Sequence, residues 1–289
     1  MFFYVPPTEL CQPVINHNDW RERMGKIILA LTIVVLVMNL VYAANVDEIV
    51  AKSNHAAYYK DRDGSARVSM TIKDSLERTR NRQFTILRKD DPGSGQNDDY
   101  CGDQKYYVYF NLPADVNKMV FMVWKHLNTD DDRWLYLPAL DLVKRISAKE
   151  KRTSFVGSDF FYEDVSGRNI NDDVHVLEKE DTTFFVLKNT PKNPDTVEFS
   201  YYRAWIHKET YLSIQVEYFD KQGDKYREYE ALKVDTIQGN PTVIKSMMKD
   251  LRTGSSTLLE YTHVQYNIEL PDEIFTERYL RRPPMKFLR

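Results

Sequence analysis

From residue 66 onward the chain alternates apolar and polar side chains in short runs: 66–73, 82–88, 105–110, 118–125, 133–137 and 142–147. A second series follows at 174–179, 183–188, 198–206, 212–219, 225–234, 242–250 and 257–269. Period two places successive side chains on opposite faces, so each run predicts a strand with one buried face. Turn chemistry separates them: Asp91-Pro92-Gly93, Pro191 to Pro194, Lys221-Gln222-Gly223-Asp224, Gly239-Asn240-Pro241 and Thr253-Gly254. Residues 219–225, lying between two alternating runs, predict a hairpin. The period differs at the two ends. Over 45–59, Val46, Ile49, Val50, Ser53 and Ala57 recur at helical spacing behind a capping Asn45, with Asp47 and Glu48 in the first turn. Over 271–280, Pro271 can stop the last strand and Ile274, Phe275 and Tyr279 share one face, which predicts a closing helix. A dozen or so antiparallel strands do not fit one flat open sheet, so they split into a sandwich or curl into a barrel.

Two stretches depart from simple alternation. Met119 to Trp124 reads MVFMVW, too apolar on both faces for a half-wet sheet. It is either a central strand buried on both sides or a strand with one face on a ligand cavity, where methionine repacks readily. Met247 and Met248 carry the same ambiguity. Residues 131–168 hold an aromatic strand stopped by Pro138, a short strand, a basic turn at 149–152 and the word FVGSDFFYED. Phe155, Phe160, Phe161 and Tyr162 behind Gly157 suit a flap over an apolar space; the same spacing also fits a packed connector.

The leader sets the compartment. Residues 27–41 are apolar apart from Thr32 and Asn39, follow Arg21, Arg23 and Lys26, and precede Val41-Tyr42-Ala43. A run of about fifteen residues is short for a bilayer span, and this pattern predicts a secretory signal cleaved after Ala43. Met24-Gly25-Lys26 makes a compact start, so residues 1–23 read as an extension, 24–43 as the signal (or an anchor if uncleaved) and 44–289 as one β domain. Cys11 departs with the leader, leaving Cys101 with no internal disulfide partner. The expected domain, roughly 245 residues after the leader, can bury a core without staples. Net charge is −3, which gives no electrostatic footprint for nucleic acid.

Catalytic signals are missing. The sequence holds no G-x-S-x-G elbow, no phosphate-cradling glycine loop and no H-E-x-x-H pair. His55, His126, His175, His207 and His263 share no spacing, and the adjacent Asp130, Asp131 and Asp132 lack a calcium-loop pattern. Asp159, Glu163 and Asp164 read as surface charges or a cap. No catalysis, no metal and no cofactor are expected.

The words WLYLPAL, KRIS and FVGSDFFYED, in that order, resemble the outer-membrane lipoprotein-sorting protein family, relatives of the periplasmic carrier LolA. The similarity continues through the 45–59 helix, the charged strand end Arg88-Lys89-Asp90, the 248–254 run and the ending LPDEIFT. It implies a mainly β fold: a strongly curved, half-open antiparallel barrel wrapped around helices, as in LolA and LolB. It also implies a monomeric periplasmic carrier of lipid or lipoprotein acyl chains, taking cargo from an inner-membrane transporter toward an outer-membrane acceptor. The chain is longer than LolA itself, which places it in a broader branch often associated with RND-type exporters. Phe155, Phe160, Phe161 and Tyr162 are then expected in the flap, with Phe121, Met122, Trp124, Trp134 and Tyr136 on the cavity wall. Two other readings stand beside the carrier: a non-carrying adaptor of a membrane exporter, and an exported hydrolase.

Overall fold

The period-two runs become thirteen strands in one continuous antiparallel sheet. The structure, a computed structural model, describes residues 46–91 and 102–288. The leader, the start at Met24, the capping Asn45, Cys11, Cys101 and most of the turn at Pro92-Gly93 lie outside the described residues. A helix over 46–58 (α1) comes first. Six strands follow: β1 (Asp63–Lys73), β2 (Thr79–Asp91), β3 (Asp103–Leu112), β4 (Val120–Lys125), β5 (Asp132–Leu137) and β6 (Leu142–Arg145). After a short helix α2 (Tyr162–Ser166) come β7 (Asp173–Glu180), β8 (Phe184–Pro191), β9 (Tyr201–His207), β10 (Ser213–Phe219), β11 (Lys225–Ile237), β12 (Asn240–Asp250) and β13 (Ser255–Tyr266).

The strand order is β6-β5-β4-β3-β2-β1-β13-β12-β11-β10-β9-β8-β7. Every neighbour is also a sequence neighbour except β1 and β13, which close the two halves against each other from Gly64↔Tyr266 to Lys73↔Ser256. So many strands bend rather than lie flat, and bulges between Ala231 and Val234 and between Ser65 and Arg67 add local twist. The sheet is curved but unclosed, a half-open barrel. Its edges, β6 and β7, are consecutive in sequence. Residues 146–172 therefore run from one edge of the sheet to the other.

Alternation sorts the core onto two faces. Val68, Met70, Phe84, Val108, Phe110, Phe121, Val123 and Leu135 pack together on the inner face with Met248 and Leu259. Their alternates, Leu87, Tyr107, Tyr109, Val120, Met122 and Trp134, form a second core on the outer face. The C-terminal segment covers that outer face through Leu270, Ile274, Phe275, Leu280 and Leu288. MVFMVW is thus a strand buried on both sides.

The closing helix differs from expectation. Residues 272–275 form a 3-10 turn (Asp272–Phe275), Thr276 is extended, and a one-turn α3 spans Glu277–Arg281. The reason is how this segment is fastened. Trp124 Nε1 donates to the Phe275 carbonyl at 2.7 Å, Tyr107 Oη to the Tyr279 carbonyl at 2.7 Å, and Trp134 Nε1 to Glu277 at 3.1 Å. Upstream, the Asp63 carboxylate accepts the backbone N–H of Ile268 and of Leu270, each at 2.7 Å. Polar atoms of the sheet satisfy this backbone, so a continuous helix is not needed to do so.

Candidate functional site

The inner face is filled unevenly, and that unevenness makes the site. On the β2–β4 side, residues 146–172 form a plug. Ser154 and Phe161 bridge across a turn in which Val156 and Gly157 take positive φ, and the Phe155 N–H meets the Phe160 carbonyl at 2.7 Å. Ser158 Oγ donates to the Phe155 carbonyl at 2.7 Å, and Ser154 Oγ to the Ser158 carbonyl at 2.6 Å. The turn drives Phe155 into the sheet. Its ring centroid lies 5.5 to 6.2 Å from those of Phe84, Phe110, Phe121 and Tyr162. Such tilted and edge-on pairs add to the area they bury.

Charge fastens the plug. Asp164 accepts the Phe161 N–H at 2.7 Å, capping α2, and also pairs with Arg227. Asp159 accepts from Thr257 at 2.6 Å and from Ser255 on β13. Glu163 is only 2 % exposed and faces Arg152 at 2.8 Å, Lys151 at 3.1 Å and Arg168 at 3.5 Å. Burial alone would raise its pKa, but the three cations outweigh that and hold it at about 2. Arg152 continues to Glu198, and Arg168 meets Asp173 at the start of β7 through two atoms at 2.9 Å. The cluster locks the plug to the far edge of the sheet. Neither the acidic nor the basic run in the sequence reveals this burial; their closeness in one connector is the only signal.

Beyond the plug the inner face is left open as a cavity of about 450 Å³, within the range of small-molecule sites. Its walls come from α1 (Val50, Ala57, Tyr58), from β1 and β2 (Ala66, Ile86), and from β8 to β13 (Leu187, Ile206, Val216, Tyr229, Met248, Tyr261). Phe160 and Val165 of the plug close one side. Burial raises the pKa of the Tyr218 and Tyr229 hydroxyls to about 12, so both stay neutral in the wall. His175 lines the cavity with both ring nitrogens engaged, by Asn189 at 2.6 Å and by the Ile170 carbonyl at 2.7 Å. Among the described residues no group of three or more His, Cys, Asp or Glu is placed to hold a metal. No helix among them is long and apolar enough to cross a membrane.

The sequence candidates divide across these places. Phe160 lines the cavity and touches the core. Phe121, Phe155 and Tyr162 sit in the inner core behind it. Phe161 lies between guanidinium groups, 4.0 Å from that of Arg227 and 4.8 Å from that of Arg152. Met122, Trp124, Trp134 and Tyr136 are not in the cavity: they pack on the outer face under the C-terminal segment. Strand alternation is the reason, since Phe121 and Val123 point inward and their neighbours must point out. Of the methionine pair on β12, Met248 faces the cavity. Most of the wall comes from the second half of the chain, where Tyr229 and Tyr261 occur in ordinary alternating runs.

A family model described only as an uncharacterized protein matches residues 102–282. No curated protein matches the chain. Among solved structures, a DUF1329 family protein from Desulfovibrio piger is 27% identical with a TM-score of 0.74, over 83% of this chain and 98% of that one. A putative outer membrane lipoprotein-sorting protein domain from Vibrio parahaemolyticus is 27% identical with a TM-score of 0.72, over 81% and 97%. A LolA superfamily protein from Nitrosomonas europaea shares the fold at 18% identity and a TM-score of 0.61, over 81% and 98%.

Proposed function

We propose that the chain, 27% identical to a putative outer membrane lipoprotein-sorting protein domain of the same fold, is a LolA-like periplasmic carrier that shields the acyl chains of a lipid or lipoprotein in its inner cavity. The observation that carries this reading is the cavity itself: an open space on the inner face, walled mainly by aliphatic and aromatic side chains. Each methylene withdrawn from water is worth about 0.8 kcal/mol, so a whole acyl chain in solution costs roughly 10 kcal/mol or more. A carrier must offset that cost without exceeding what the bilayer offers, or release fails.

The plug supplies the balance. Phe160 stands at the cavity wall, and Phe155, Phe161 and Tyr162 tie its position to the core and to the arginines. Cargo that displaces the Phe160 ring exchanges one apolar contact for another, so entry and release both run close to thermoneutral. The residues bind and exclude water; no bond is made or broken. Cargo reaches the cavity from an inner-membrane donor and leaves to an outer-membrane acceptor.

The test is binding of a neutral apolar fluorophore, N-phenyl-1-naphthylamine, to purified protein. Ala57 lines the cavity from α1 and is exposed there, so Ala57→Trp fills the space without disturbing the core. The expected result is an affinity at least about tenfold weaker at an unchanged unfolding midpoint, consistent with about 1.4 kcal/mol of lost burial. Equal binding by both forms would move the ligand out of this cavity.

A further inference from the structure

The cavity is apolar over most of its wall but carries one basic corner. Lys60 lies just beyond the end of α1 and lines the cavity with Arg88, Thr242 and Tyr266. It is 9 % exposed, so its ammonium is nearly out of bulk water. Among the described residues the only group its ammonium bonds is the Pro241 carbonyl. An ammonium has three donors, and a carbonyl occupies one.

The other charges lining the cavity are matched. Arg152 faces Glu163 and Glu198, Arg168 faces Asp173, and Asp164 faces Arg227. Arg88 lies 3.4 Å from Asp90 and donates to the carbonyls of Tyr58, Lys60 and Asp61, which fixes its guanidinium beside the ammonium. The neighbouring carboxylate of Asp61 is turned to Asn240 Nδ2 at 2.8 Å. The hydroxyls of Thr242 and Tyr266, 2.8 Å apart, complete the corner. Burial, with the nearby Arg88 charge, lowers the Lys60 pKa to about 8, the sign of a cation with too few anionic neighbours.

Building on the carrier reading, we propose that Lys60 receives the anionic head group, a carboxylate or phosphate, of an amphiphile whose acyl chain lies along the apolar wall. A head group here restores the missing anion to a desolvated ammonium, where a charge-assisted hydrogen bond is strong. The neutral wall holds the tail regardless of the head. Selectivity for anionic amphiphiles and capacity for acyl chains therefore reside in different residues.

The experiment is displacement of N-phenyl-1-naphthylamine from purified protein by dodecanoate, dodecyl phosphate and uncharged 1-dodecanol, all below their aggregation limits, and by inorganic phosphate. The expected order is dodecanoate and dodecyl phosphate about tenfold or more tighter than 1-dodecanol, with inorganic phosphate inactive. In Lys60→Met the preference for the anionic amphiphiles over 1-dodecanol disappears; Lys60→Arg keeps it. Equal displacement by the three amphiphiles in the unaltered protein overturns the head-group assignment and leaves the carrier reading standing, and this comparison does not depend on the variants folding. Displacement by inorganic phosphate as strong as that by dodecyl phosphate makes the corner a free-anion site and overturns the amphiphile. A preference that persists in Lys60→Met removes Lys60 from the role. Failure of the fluorophore or of any amphiphile to bind the unaltered protein overturns the carrier reading, and the head-group site with it.

Discussion

Two aromatic residues five apart in the plug have different work, and substitution separates them. Phe155 is 3 % exposed with four aromatic neighbours, so Phe155→Ala leaves a cavity no side chain can refill. It is expected to lower unfolding free energy by about 3–5 kcal/mol in a denaturant titration. Phe160 is also buried but lies at the cavity wall. Phe160→Ala is expected to weaken binding of an apolar ligand while costing less stability than Phe155→Ala. Comparable unfolding with unchanged binding would make Phe160 core alone. Gly167 is a third sensitive position. Its φ is +77°, and a Cβ there would meet the Tyr58 ring at 2.4 Å. Tyr58 lines the cavity and packs under the Lys125 ammonium, so Gly167→Ala must displace that ring from its place in the wall. A loss of about 2 kcal/mol or more is expected from strain at this backbone conformation, with weakened ligand binding, read by denaturation and fluorophore titration. At this scale the sequence marks the right word, FVGSDFFYED, but not which aromatic faces core, cavity or arginine, because a turn with two positive φ values breaks the period.

The plug, taken as one element, is held by ions that the composition does not announce. Glu163→Gln leaves Arg152, Lys151 and Arg168 short of a shared anion in a buried place, and is expected to destabilise by about 3 kcal/mol at neutral pH. The pH dependence has a definite sign. Glu163 in the folded chain is held at about 2, below its ordinary range near 4.5. Its contribution is therefore complete above about pH 5 and is lost as pH falls from there toward 2. In the Gln variant that portion of the acid limb flattens, which stability measured from pH 6 to pH 2.5 would reveal; an unchanged limb would place the acid sensitivity elsewhere. The strands are the elements most legible in the sequence. Each of the thirteen candidate runs finds its strand, from 66–73 within Asp63–Lys73 to 257–269 overlapping Ser255–Tyr266, because a strand with one polar face writes its period directly and only 119–124, buried on both sides, lacks it. The closing helix is less legible. Ile274, Phe275 and Tyr279 share an apolar purpose, yet hydrogen bonds from Trp124, Trp134 and Tyr107 hold them in two short turns.

For the whole molecule, what matters is that one sheet has two covered faces and one opening. The C-terminal segment covers the outer face of β2–β5, the plug covers their inner face, and the cavity remains where α1 faces β8–β13. The sequence reaches the curved sheet, since so many strands cannot lie flat, and the family resemblance supplies its half-open form. It does not place the cavity. Met122, Trp124, Trp134 and Tyr136 are as apolar as any wall residue, and only the strand register assigns them to the outer face. The proposed role of the open part of the inner face is to carry acyl chains. The decisive measurement is native mass spectrometry with lipid extraction, on protein purified without detergent. The expected result is acyl lipid or lipopeptide bound in near-stoichiometric amount. A clean unliganded mass, unchanged after incubation with lipid vesicles, would contradict it and favour an exporter adaptor built on the same sheet.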